Sequence, residues 1–221
     1  SCGANFVDAD GKAYITGNEI AEKCVDLYAD MIQKDVVKLV NNWDEYVKTV
    51  TDGEAAGIVN GNWMNGTLVG IEDQKGLWQI TTIPKVDGVE TATNYANNGG
   101  SSWYITSNCQ DVELAKDFLL STFGSSTEFY DTILPETSGI ACYLPAGESA
   151  VYNEPVDFYG GQPIYSTLVE YSSHIPEFTK TPYHYEAREA VNTAIIQITN
   201  GTAKEDALKE AQETLEFKMT E

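Results

Sequence analysis

The chain has 221 residues, 42% of them hydrophobic and 11% aromatic, enough to bury a substantial core as one large domain or two small ones. Lys and Arg total 13 against 34 Asp and Glu, for a formal net charge of −21; this excludes the basic footprint that nucleic acid or an anionic membrane surface requires. The 13 Tyr and 4 Trp are too many for a disordered acidic chain, and no apolar run approaches the roughly 20 residues that span a bilayer.

Read from the start, Asp8-Ala9-Asp10-Gly11-Lys12 imitates a calcium loop. The EF-hand spacing, however, puts Phe6 at the first ligand position and Gly17 at the twelfth, where a carboxylate is needed. A tight Asp-Gly turn between Phe6-Val7 and Ala13-Tyr14-Ile15 is the reading that fits. Thr16 and Glu19 form a capping box, and the helix after them places Ile20, Cys24, Leu27, Tyr28 and Met31 on one face. A shorter helix over 44–50 turns Trp43, Tyr46, Val47 and Val50 inward.

Ala55 to Val59 is a continuous apolar run, the pattern of a strand buried on both faces. It ends in Asn60-Gly61-Asn62, which suit turn geometry, and delivers Trp63 at the strand end, where α/β sheets hold ligands. A helical piece over 64–71 leads to a second strand, Leu77-Trp78-Gln79-Ile80, with Pro84 at its exit. After a polar loop come Asn98-Gly99-Gly100-Ser101 and a third strand, Trp103-Tyr104-Ile105-Thr106. The paired glycines predict a bend or a close backbone approach to a ligand, but they form neither GxGxxG nor a P-loop.

The remainder reads as mostly helical. Helices are expected over 112–123 and 128–134, the second stopping before Pro135, with 139–155 irregular. Another opens at Pro163 and carries Ile164, Leu168 and Tyr171. A longer one has Thr181 as cap and Pro182 at its first position, and the last, entered through a Thr202/Glu205 capping box, packs through Ala207, Leu208, Ala211 and Leu215.

The catalytic inventory is thin. His174 and His184 are the two histidines, with no HExxH and no GxSxG, and Arg188 is the single arginine, so no cluster awaits a phosphate or polycarboxylate. Cys2, Cys24, Cys109 and Cys142 are too far apart for a zinc or redox CxxC motif and allow two disulfides or none. No cofactor is called for. Two sequons, Asn65-Gly66-Thr67 and Asn200-Gly201-Thr202, matter in a host that glycosylates secreted proteins. What stands out is aromatic and amide: Asn62 and Trp63, the 98–103 run, and Tyr183-His184-Tyr185, residue types that stack on sugar rings and hydrogen-bond hydroxyls. Tyr183 and Tyr185 fit helix packing equally, and a lone His184 fits a structural role.

Taken in order, the 53–63 run, Gly99-Gly100-Ser101-Ser102-Trp103, Glu113-Leu114-Ala115-Lys116-Asp117-Phe118-Leu119, Ala187-Arg188-Glu189-Ala190-Val191 and the closing 201–212 stretch resemble the carboxyl-terminal part of family 1 extracellular solute-binding proteins, the maltose-binding-protein-like components of ABC sugar importers. The resemblance implies an α/β, periplasmic-binding-protein-like (type II) fold with two lobes around a ligand cleft. It implies that residues 1–98 belong to the carboxyl-terminal lobe, 99–145 to the hinge crossover and a return to the amino-terminal lobe, and 146–221 to closing helices of the carboxyl-terminal lobe. It further implies a non-catalytic protein that passes a small-molecule sugar to a membrane permease. Such a protein lies outside the cell or in the periplasm, tethered through a segment upstream of this chain rather than through Cys2. Expected ligand-binding residues are Asn62, Trp63, Asn98, Gly99, Gly100, Ser101, Tyr183 and His184. His184 falls where maltose-binding members carry a second stacking tryptophan, which puts maltodextrin in doubt as the ligand. The alternatives are a fragment of a secreted carbohydrate-active enzyme and a peptide or amino-acid binder of the same fold.

Overall fold

The computed structural model describes residues 1–177 and 180–220. Among them are eight α-helices: α1 (Glu19–Gln33), α2 (Trp43–Thr51), α3 (Asn65–Leu68), α4 (Val112–Ser121), α5 (Thr127–Thr137), α6 (Ile164–Ser172), α7 (His184–Thr199) and α8 (Lys204–Lys218). Short 3-10 turns fill 62–64, 72–74 and much of 144–159. The chain forms two compact units: Ser1–Trp43 with Lys85–Thr93 and Pro176–Glu221, and Asp44–Pro84 with Asn94–Ile175.

The first unit is helical, with a small hairpin at its edge. Tyr14 N–H donates to Phe6 O at 2.8 Å, Val7 pairs with Ala13, and the Asp8 carboxylate accepts from the amides of Asp10 and Lys12, so the Asp-Gly turn forms as the sequence predicts. Its core is Ile15 and Val25 with Ala187, Ala190, Val191 and Ala194 of α7 and Ala207, Leu208, Ala211 and Leu215 of α8. Small residues on α7 let the helices approach closely, and the expected α8 face is the buried one. In α1, by contrast, the buried residues are Ala21, Val25 and Ala29, while Leu27 and Tyr28 are exposed. Larger apolar side chains dominate a periodicity pattern, yet here the alanines supply the contact face. The helix is capped by Asn18, whose Oδ1 accepts from Ala21 N–H, not by Thr16. Two other caps also differ. α7 begins at His184, after Tyr183, and α8 is preceded by Ala203, neither with a side-chain cap bond.

The second unit packs Val50, Met64, Leu68, Ile71, Phe158, Tyr159 and Ile164 into its core. Trp43, at the start of α2, is exposed instead of inward-facing. α5 runs through Pro135, held at its start by Ser126 Oγ accepting from Phe129 N–H and ended by Ser138 in the left-handed conformation (φ 54°). A proline in the last turn forfeits one backbone bond without breaking the helix. α4 starts where predicted, from an Asp111 cap, and ends at Ser121, two residues short of the expected 123, but it buries no residue: Leu114, Phe118 and Leu120 are all exposed.

The expected strands at 55–59, 77–80 and 103–106 form no ladder. Among the described residues the strand-type pairings are two isolated bridges, Val7 with Ala13 and Val156 with Gln162. A strand needs a second backbone to pair with. Ile80 finds a substitute: Gln162 Oε1 accepts from its N–H and Gln162 Nε2 donates to its C=O, both at 2.8 Å.

Candidate functional site

The 55–62 and 77–84 runs of the second unit line a cavity of about 840 Å³, floored by Met64, Leu68, Tyr159 and Leu168. That volume is in the range of small-molecule sites. Asn60 organises its rim. Its Oδ1 accepts from Gly61 N–H at 2.8 Å and from Asn98 Nδ2 at 3.1 Å, and its Nδ2 donates to the Tyr46 hydroxyl at 2.9 Å. The sequence reading treats Asn60 only as a turn former. No local pattern announces a side chain that joins α2, the end of the 55–59 run and residue 98.

Trp63 follows directly, half-exposed, in the 3-10 turn Asn62–Met64. Its Nε1–H donates to Asn98 O at 3.3 Å. Gly61 makes that seat possible: a Cβ there would collide with the indole nitrogen and lie 2.7 Å from Asn98 O. Gly99 and Gly100 hold φ of 108° and 100°, a region that side chains strain to enter, so the pair fixes the path of the chain past the indole edge. Asn62, Trp63, Asn98 and Gly99 are therefore brought together, whereas Gly100 and Ser101 continue as exposed backbone. Trp63 does not line the cavity; Gly61 and Asn62 do. Asn62 Nδ2 is committed to Ser138 O at 2.9 Å, which ties the rim to the end of α5.

Asn65, which the sequence marks only as a sequon, lines the same cavity. It is buried, its Nδ2 donates to Ser138 Oγ at 2.5 Å, and its Oδ1 has no partner, leaving an acceptor at the cavity wall. Burial keeps Asn65 from serving as a glycan acceptor in the folded protein. On the cavity floor, burial and then the neighbouring Tyr165 push the Tyr159 phenol up to about 12, so it stays neutral across the physiological range.

Tyr183 and His184 lie in the first unit. Tyr183 packs against the α7–α8 core, and the His184 ring meets Tyr185 edge-on at 5.5 Å. Arg188 stands over the Tyr185 ring at 5.1 Å. Among the described residues no group of three or more His, Cys, Asp or Glu could hold a metal ion, and no helix is long and apolar enough to cross a membrane.

A rim of amides, a tryptophan fixed by its edge and a neutral phenol floor suit an uncharged, hydroxyl-rich ligand. The family model described as bacterial extracellular solute-binding protein matches residues 3–152. The chain belongs to that family. Among curated relatives it is similar to a lactose-binding protein of Rhizobium radiobacter, 30% identical over 209 residues, covering 95% of this chain and 49% of the relative. An arabinooligosaccharide-binding protein of Halalkalibacterium halodurans is 26% identical over 230 residues, covering 98% and 50%. The chain thus spans about half the length of the curated relatives it matches. Both relatives carry the names of binding proteins, not of enzymes.

Proposed function

We propose that the protein containing this chain captures a sugar or oligosaccharide outside the cell or in the periplasm and delivers it, without catalysis, to the permease of an ABC importer. The observation that carries this reading is the Trp63 indole. Its polar edge is held by Asn98 O, the chain at Gly61 leaves room for it, and its exposed surface stands beside a ring of amides. A sugar ring presents apolar C–H faces to such a surface and hydroxyls to amide and backbone groups. The names of the lactose- and arabinooligosaccharide-binding relatives support the ligand class. The type II fold with a closing hinge is part of the same proposal, with lobe boundaries near residues 98 and 145, and so is tethering through an upstream segment.

Asn62, Trp63, Asn98, Gly99, Gly100 and Ser101 are proposed to contact the ligand. Calorimetric titration of the full-length protein with lactose and arabinooligosaccharides tests the reading. Trp63→Ala should weaken the sugar that binds by about 1–3 kcal/mol, the scale of ring stacking on an aromatic platform. Unchanged affinity removes Trp63 from the site. Chromatographic detection of sugar products would replace capture with catalysis.

A further inference from the structure

Two of the four cysteines meet in the first unit. Cys2 is buried with Val89 and Ala92 in a small apolar cluster, and Cys24 of α1 packs against that cluster together with Ile20 and Val86. The backbone around Cys2 is held firmly. Thr91 Oγ1 donates to Cys2 O at 2.6 Å and Thr93 N–H donates to Ser1 O at 2.9 Å, so the Cys2 segment is laid along residues 91–93. Cys24 lies on a regular helical turn. Both side chains are therefore presented by fixed backbone to the same small cluster, whereas Cys109 and Cys142 belong to the second unit.

We infer that Cys2 and Cys24 form a disulfide that fastens the start of this chain to α1 in the oxidising compartment where an extracellular family works. Structural disulfides persist in such compartments. The reaction exchanges one disulfide for another. A thiolate of the pair attacks the S–S bond of a glutathione disulfide or a thiol–disulfide oxidoreductase and releases one thiol. The second cysteine then attacks the mixed disulfide, releasing the second thiol and closing the Cys2–Cys24 bond. The two cysteines lose two protons and two electrons, and the donor disulfide takes them up.

Timing follows from the surroundings. Burial, and then the neighbouring Cys2 thiol, pushes the Cys24 thiol up to about 11, against weaker opposing pulls from the Ser1 amino group and Lys23. At neutral pH the folded Cys24 holds little thiolate, so its attack belongs to the stage when the segment is still folding.

The test uses the full chain, secreted into an oxidising compartment or refolded in a glutathione redox buffer, then denatured without reductant and alkylated. Expected is a protein about 2 Da lighter than its reduced form, labelled at Cys109 and Cys142, with one peptide pair joining Cys2 to Cys24. Reduction should lower the thermal midpoint by about 5–10 °C, given the closed loop and the size of the chain. Cys2→Ser and Cys24→Ser should each abolish the cross-link and expose the remaining partner to label. Four labelled cysteines in oxidised, folded wild-type protein would overturn the proposal, as would a cross-link through Cys109 or Cys142. The wild-type peptide map decides the matter even where a serine variant fails to fold.

Discussion

The two units use the same device on an extended segment and obtain different results. In the first, Gln212 Oε1 accepts from Ile15 N–H at 2.7 Å and Nε2 donates to Ala13 O at 2.8 Å, and Ile15 is then sealed to 1% exposure against α7 and α8. In the second, Gln162 grips Ile80 in the same fashion, but Leu77 on the same run and Val59 on the 55–59 run are 76% and 73% exposed. One carboxamide can stand in for a strand along a residue or two. It cannot replace a whole strand, which would also bring side chains to cover the apolar face. The first unit is closed by its own helices, and the second keeps an open, amide-rimmed concavity.

That contrast can be broken most directly in the cores. Leu215, fully buried, should cost about 2–5 kcal/mol when replaced by Ala, whereas Leu120→Ala on the uncovered α4 should stay within about 0.5 kcal/mol. Denaturant titration of the two variants measures both; equal losses would show that α4 is as well packed as α8. The glutamines give a finer test. Gln212→Ala should destabilise by about 1–3 kcal/mol, because it strips partners from backbone beside a sealed side chain. Gln162→Ala should cost less, since water reaches the half-buried Ile80. A reversed order would mean that the 77–84 run depends on its substitute more than the first unit does.

The smallest effect is electrostatic. Lys204 bonds Asp26 at 2.8 Å and lies 3.6 Å from Glu22, and the Asp26 hydrogen bond raises its pKa above the ordinary lysine value of 10.5. A raised lysine stabilises fully below its unfolded pKa, and the contribution fades as pH climbs through the folded value. The group is partly exposed, so solvent screens it. Lys204→Met should cost under about 1 kcal/mol at pH 7, and the difference from wild type should vanish in strongly alkaline buffer. Thermal melts across pH register it.

Legibility from sequence followed range. Spacing along one helix was enough for the α8 face and the start of α4, since both depend on residues three and four apart. The hairpin at 8–12 was legible for the same reason. The α1 face was legible only in part: Ile20 and Cys24 pack inward, but the buried positions include Ala21 and Ala29, and alanines carry little hydrophobic signal of their own yet permit close helix contact. Pairing of the 55–59, 77–80 and 103–106 runs depends on backbone far away, which no local window contains. At the rim, Trp63 was readable as an aromatic after a turn, but its seat against Asn98 spans 35 positions and Asn60's three hydrogen bonds join distant segments. Long-range polar contacts leave no periodic trace.

The burial of Asn65 has a practical side for producing the protein. A eukaryotic secretory host attaches N-glycans to sequons on chains that have not finished folding, when Asn65-Gly66-Thr67 is as accessible as Asn200-Gly201-Thr202. A glycan on Asn200 would extend into solvent from the exposed end of α7. One on Asn65 would occupy the very nitrogen that donates to Ser138 Oγ and would have no room at the cavity wall. Bacterial expression, or Thr67→Ala in a glycosylating host, avoids a product locked out of its native fold by its own carbohydrate.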